Sequence, residues 1–109
     1  MELTFGALQA YLFEHYGGVA NEQDMFMKLV EEIGEVAEVL NKRAGRKANE
    51  EEDLQTELAE ELADMIHYIV AIAAINNIDL TGTIIDKDKR AAVKYHHARD
   101  LEAFLNAEK

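Results

Sequence analysis

Apolar residues recur along this chain at the three-and-four spacing of a helix, and nowhere do they alternate with polar ones over the length of a strand, so the pattern predicts an all-α protein. Phe5, Leu8, Leu12 and Tyr16 mark a first helix over about residues 4–16, stopped by Gly17 and Gly18. A second opens after Asn21, a side chain suited to capping, and carries Phe26, Leu29, Val30, Ile33, Val36, Ala37 and Leu40 on one stripe. The third is predicted to open after Asn49, with Glu50, Glu51 and Glu52 in the first turn where the helix dipole favours carboxylates. It runs through Leu54, Leu58, Leu62, Met65, Ile66, Ile69 and Ala73 until Asn76 or Asn77 ends it. A fourth begins near Asp79 or Thr81 with Ile84, Ile85, Ala91, Ala92 and Tyr95, and Leu101, Phe104 and Leu105 either prolong it or form a tail helix.

A chain of 109 residues is read as one domain, 1–109, with a tail from about residue 98. Its four main helices predict a four-helix-bundle-like fold. From Ile66 to Ile75 the third helix is apolar nearly all the way round, whereas a helix on the surface of a small monomer keeps a polar face. Three neighbouring helices cannot cover it on every side, so the core is expected to be completed by a second subunit, in a homodimer or homotetramer. The same run holds His67 and is far shorter than the roughly 20 residues a spanning helix needs, so no membrane partner is expected.

Charge narrows the partners further. There are 22 Asp plus Glu against 11 Lys plus Arg, a formal net charge of -11. Binding to a phosphate backbone is driven by Lys and Arg releasing counterions, so nucleic acid is not an expected partner. The absence of cysteine removes thiolate metal sites and Cys nucleophiles. No charged and apolar leader pattern is visible at the N-terminus, and the expected location is cytoplasmic.

Two of the predicted helices carry clustered acids, Glu31-Glu32-Ile33-Gly34-Glu35 and Glu60-Glu61-Leu62-Ala63-Asp64. At about 100° per residue, Glu32 and Glu35 sit about 60° apart on one flank of their helix, and Glu61 and Asp64 do the same on theirs. An antiparallel pairing would set the middle of one helix beside the middle of the other and bring the four carboxylates together. A lone pair of acids three apart arises readily by chance in so acidic a chain, on a solvated face. Four converging ones repel unless a cation neutralises them, and hard oxygen ligands select magnesium or manganese. Such an ion keeps several waters and binds phosphates, giving an acidic protein a place for a triphosphate to dock.

The run Lys28-Leu29-Val30-Glu31-Glu32-Ile33-Gly34-Glu35-Val36-Ala37-Glu38, a long spacer, and then Glu61-Leu62-Ala63-Asp64 before an apolar helix resembles the MazG-like all-α nucleoside triphosphate pyrophosphohydrolases. The shared pattern is E-E-x-x-E, spacer, E-x-x-D, with small residues at Gly34 and Ala63, and the likeness covers residues 5 to about 95. The resemblance implies magnesium-dependent hydrolysis of a nucleoside triphosphate to the monophosphate and pyrophosphate, a housekeeping activity on the nucleotide pool. By position, it implies Glu32, Glu35, Glu61 and Asp64 as metal ligands and Glu31 and Glu32 as the catalytic carboxylates, with Glu31, about 100° round the helix from Glu32, in a supporting role. Members of that family also place basic residues and an Asn on the last helix. Here Lys87 and Lys94, seven apart and so on one face, are the candidates for the phosphates, and Ala91 and Ala92 stand where the Asn is usual.

Two other readings fit parts of the pattern. A ferritin-like di-iron bundle needs Glu-x-x-His on two helices, and only Asp64-x-x-His67 approaches it. His67 lies about 60° beyond Asp64 and is expected at a partner interface or on the surface. A non-catalytic helical interaction module would use the acids as a solvated face and the apolar third helix for docking. Metal dependence separates it from an enzyme.

Overall fold

The computed structural model describes residues 1–18, 21–45 and 53–108, and all regular structure among them is helical. The five helices are α1 (Phe5–Tyr16), α2 (Glu22–Arg43), α3 (Leu54–Ile75), α4 (Leu80–Lys94) and α5 (Leu101–Ala107). Each start has a local chemical cause. Thr4, Asn21, Asp53, Asp79 and Asp100 lie just outside the helices in non-helical backbone, and each side chain accepts a hydrogen bond from an amide of the first turn, satisfying a donor the helix itself cannot pair. Asp53 opens α3, and its Oδ2 also accepts the Thr56 hydroxyl at 2.6 Å. The expected start after Asn49, with Glu50 to Glu52 behind it, lies outside the described residues.

Helix ends are equally local. Gly17 ends α1 with its amide on the Phe13 carbonyl at 2.7 Å, and a Cβ there would meet that same oxygen at 2.5 Å, which only glycine avoids. Asn76 caps α3, and Asn77 then turns the chain with φ 55, a left-handed conformation asparagine tolerates. Beyond α4, His96 takes φ 59 while the His97 amide returns to the Ala92 carbonyl at 2.9 Å, so the tail separates as a distinct helix.

α2 and α3 run antiparallel along their length, an alignment fastened at one end by Asn76 Nδ2 donating to Glu22 Oε1 at 2.7 Å. α1 packs against α3 as well. Between them lies the core of Leu12, Met25, Val70, Ala71 and Ala74, ringed by Leu8, Tyr16, Ile72, Ile75 and Leu80. α4 leaves α3 at 105° and rests on α1 and α5. Gln9 of α1 holds that corner, donating from Nε2 to the Ile78 carbonyl and accepting the Leu80 amide at 3.1 Å.

The apolar stripes read from the sequence are only partly covered within one chain. Phe26, Val30, Ile33 and Leu40 of α2 and Leu62, Ile66 and Ile69 of α3 are exposed. The aromatic residues Phe5, Tyr11 and Phe13 of α1 are exposed as well, and Leu12 is the α1 residue that is fully buried. No single described helix is long and apolar enough to cross a membrane.

Candidate metal centre

The acids converge because the two helices present them in the same phase. One carboxylate oxygen from each of Glu32, Glu61 and Asp64 lies within 4.8 Å of the other two. Glu35, one turn along α2, lies near enough for its carboxyl and that of Glu61 to shift each other's proton affinity. Three of the four predicted ligands therefore meet at the middle of the α2–α3 pair, and Glu35 stands beside them. Glu31 does not join them. Its carboxylate is exposed and pairs with Lys28 Nζ at 3.6 Å, because adjacent residues on a helix point about 100° apart.

The electrostatics are those of like charges held together. Glu35 sits above the usual glutamate range, first because of Glu61, which shares a hydrogen bond with it and adds its charge, then through lost hydration and Asp64. For Glu32 the hydrogen bond to Glu61 pulls the other way, but lost hydration and the charges of Glu35 and Asp64 outweigh it and the group is raised. Glu61 is pulled down by its hydrogen bond to Glu35, yet Glu32, lost hydration and Asp64 leave it raised too. A carboxylate beside another carboxylate keeps its proton longer, since two negative charges in one place are costly.

Glu32 Oε2 and Glu61 Oε2 are shut off from solvent and have no hydrogen-bond partner. Buried oxygens of this kind are costly unless something positive meets them. Ligand oxygens of a six-coordinate magnesium stand about 2.9 Å apart when adjacent and about 4.1 Å when opposite, so this triad, its oxygens within 4.8 Å of one another, would draw inward to hold one. The donor set, all carboxylate oxygen, fits the same class of ion.

The predicted cations lie elsewhere. Lys87 is exposed on α4, and Lys94 Nζ stands 5.3 Å from the centre of the Tyr95 ring. Their helix packs on α1 and α5, so folding of one chain does not bring them to the carboxylates. Gly34, for its part, has nothing within 4 Å of where a Cβ would stand, so no contact among the described residues demands a small residue there.

His67 departs from its expected place. Its Nε2 and the Tyr16 hydroxyl share a hydrogen bond of 2.7 Å that fastens α1 to α3, and both residues are half-buried. The rings of Tyr11, His15, Tyr16, His67 and Tyr68 follow one another in stacked and edge-on contacts, from 4.7 Å to 6.3 Å between centres. Tyr68, which the sequence reading passed over, lies seven residues after Glu61 and four after Asp64, and so on their face of α3. That offset was the available signal.

An antiparallel helix pair carrying E-x-x-E opposite E-x-x-D, buttressed by a third helix, defines a class of all-α acid-cluster proteins. Residues 20–98 match the family model described as the MazG nucleotide pyrophosphohydrolase domain, and the chain belongs to that family. Its backbone is similar to that of iMazG from Vibrio DAT 722, known from a crystal structure, with a TM-score of 0.65, 30% sequence identity, and coverage of 89% of this chain and 100% of that one. No curated protein matches the chain.

Proposed function

We propose that this protein hydrolyses nucleoside triphosphates to nucleoside monophosphate and pyrophosphate in a magnesium-dependent reaction, with manganese as the alternative ion. The observation that carries the reading is the pair of orphaned, buried carboxylate oxygens on Glu32 of α2 and Glu61 of α3, grouped with Asp64 of α3, in a chain of the nucleotide pyrophosphohydrolase family. Glu32, Glu35, Glu61 and Asp64 would hold the ion. When bound, it supplies charge neutralisation for the phosphates and acidifies a coordinated water.

The chain's own groups account for the rest. Attack of a water oxygen on the α-phosphorus breaks the α–β anhydride bond and releases pyrophosphate, and the water's proton needs an acceptor. A carboxylate of the site takes that proton or positions the water, and Glu31 and Glu32 are the candidates for this work. Glu31 keeps a supporting part at the rim, where its partner is Lys28. Lys87 and Lys94 serve as phosphate contacts in this reading when a second subunit brings α4 over the carboxylates.

We infer a homodimer, or a homotetramer built from such dimers. The exposed stripes of α2 and α3 both lie about 100° round from the acids in the same sense, and on antiparallel helices that rotation carries both to one face of the pair. A compact monomer of 12.3 kDa exposes about 6,100 Å². This chain exposes 8252 Å², and its radius of gyration is 17.2 Å where about 13 Å is usual. An excess of about 2,000 Å² on each chain, about 4,000 Å² for a pair, falls in the range of obligate homodimer interfaces. A cytoplasmic location belongs to the same proposal.

The test is pyrophosphate release from a panel of canonical and modified ribo- and deoxyribonucleoside triphosphates, in magnesium and in chelator, for the unaltered protein and Glu35→Ala. Release that needs the metal and disappears in the variant supports the reading. No release, together with no magnesium binding by calorimetry, would leave a helical interaction module.

A further inference from the structure

We propose that Lys28 is a substrate-binding residue, a cation parked on Glu31 that turns to the phosphate oxygens of the bound triphosphate. The inference rests on the pyrophosphohydrolase reading above and adds to it a residue on the cluster's own helix. Around α2, Lys28 lies about 40° from Glu32 and about 20° from Glu35, so its stem rises from the face that carries the carboxylates, one turn before them. Its ammonium is drawn aside to Glu31 Oε2 at 3.6 Å, a pair in which the two side chains are 59% and 62% exposed. Exposed pairs of this length hold little, so the lysine can exchange partners without loss to the fold.

Two further observations favour the exchange. A triphosphate brings several negative charges to a chain whose net charge is -11, and an ion held by four carboxylates leaves that side of the site with no positive excess. Lysine is the residue that meets phosphate as a compact, mobile point charge. Of the basic residues on α2 and α3, Lys42 and Arg43 sit about 15 Å along the axis from Glu32, at the far end of α2. α3 carries no Lys or Arg at all. Lys28 alone on this helix pair stands within a side chain's reach of the carboxylates.

The experiment measures, by calorimetry in magnesium, binding of the α,β-imido analogue of the triphosphate that the unaltered protein hydrolyses fastest, for that protein, Lys28→Ala and Lys28→Arg. Loss of one charge-assisted contact is expected to weaken binding of the analogue about tenfold in Lys28→Ala, with Lys28→Arg within about twofold of the parent. In hydrolysis the alanine variant should show a raised KM at nearly unchanged kcat, and magnesium alone should bind it no more weakly than the parent. Equal analogue affinity in Lys28→Ala, with the parent's helical content retained, would overturn the assignment, as would a Lys28→Arg variant as weak as the alanine one. A parent protein that neither binds nor hydrolyses any triphosphate overturns the pyrophosphohydrolase reading itself and Lys28's part with it, a result distinguishable from failure of the lysine alone.

Discussion

Replacing Glu32 with glutamine should reverse its effect on stability according to whether magnesium is present. In chelator at pH 7 the substitution removes one of four converging negative charges, and the new amide can donate to the orphaned Glu61 Oε2, so Glu32→Gln should melt above the parent protein. The sign with pH follows from the raised pKa of Glu32. A carboxyl that releases its proton later when folded costs stability at all pH values above its folded pKa, and the cost fades as pH falls to the unfolded value of about 4.3. The variant's advantage should therefore be full at pH 7 and gone below about pH 4.3. Magnesium at a hundredfold excess over its dissociation constant would add about 2.7 kcal/mol to the parent. At about 4–8 °C per kcal/mol for a domain of this size, that raises Tm by about 10 °C or more. If the lost ligand weakens magnesium tenfold, the same concentration adds only about 1.4 kcal/mol to the variant, and the order of the two melting curves inverts for any advantage in chelator below about 1.3 kcal/mol. Thermal melts followed by circular dichroism from pH 4 to 8, in chelator and in magnesium, read all of this. A parent Tm indifferent to magnesium at pH 7, or a variant that gains as much from it as the parent, would refute the metal site.

Tyr16→Phe removes the hydroxyl that bonds His67 between α1 and α3 and should cost about 1 kcal/mol in urea unfolding, and an unchanged midpoint would show that bond to be idle. Leu12→Ala, at a side chain with 0% exposure in the core, should cost about 2–5 kcal/mol. Combining Ile33→Asp with Ile66→Asp places charges on the exposed α2–α3 face without touching the core, so sedimentation should find a lighter species than the parent; an unchanged mass would move the subunit contact elsewhere.

Helix content and the site's main residues were legible because both depend on period. The three-and-four spacing located α1 to α4, and the same 100° step put Glu32 with Glu35 and Glu61 with Asp64 before any fold was known. The features that escaped depend on pairings between distant segments. Nothing in the residues around His67 announces Tyr16, fifty-one positions away, as its partner. Gln9 at the α3–α4 corner is equally silent in sequence, because a glutamine on an exposed helix face has no periodic signature. A tail helix was one of two readings the sequence left open, and what decides for it is the left-handed turn at His96, a conformation that sequence reading assigns to glycine or asparagine.

The placement of charge on α2 and α3 bears on why the apolar face opposite should need a partner. The carboxylates repel across the helix pair, and repulsion at one edge of two packed helices tends to splay them apart at that edge. α1 packs chiefly on α3 and reaches α2 near its start, where Leu12 shares the core with Met25, so at the level of the acids α2 is held chiefly by its seam with α3, where Met25 and Val39 are the buried α2 side chains. Val39 and Met25 lie on either side of Glu32, seven residues away in each direction, so the seam is packed above and below the acids and weakest beside them. A second copy laid over Val30, Ile33, Leu62 and Ile66 would press on the pair at that level. In this account the exposed stripe and the strained cluster are two parts of one arrangement: apolar cover on one side fixes the spacing of the helices, and that spacing sets the carboxylates at the separation a small divalent ion fits.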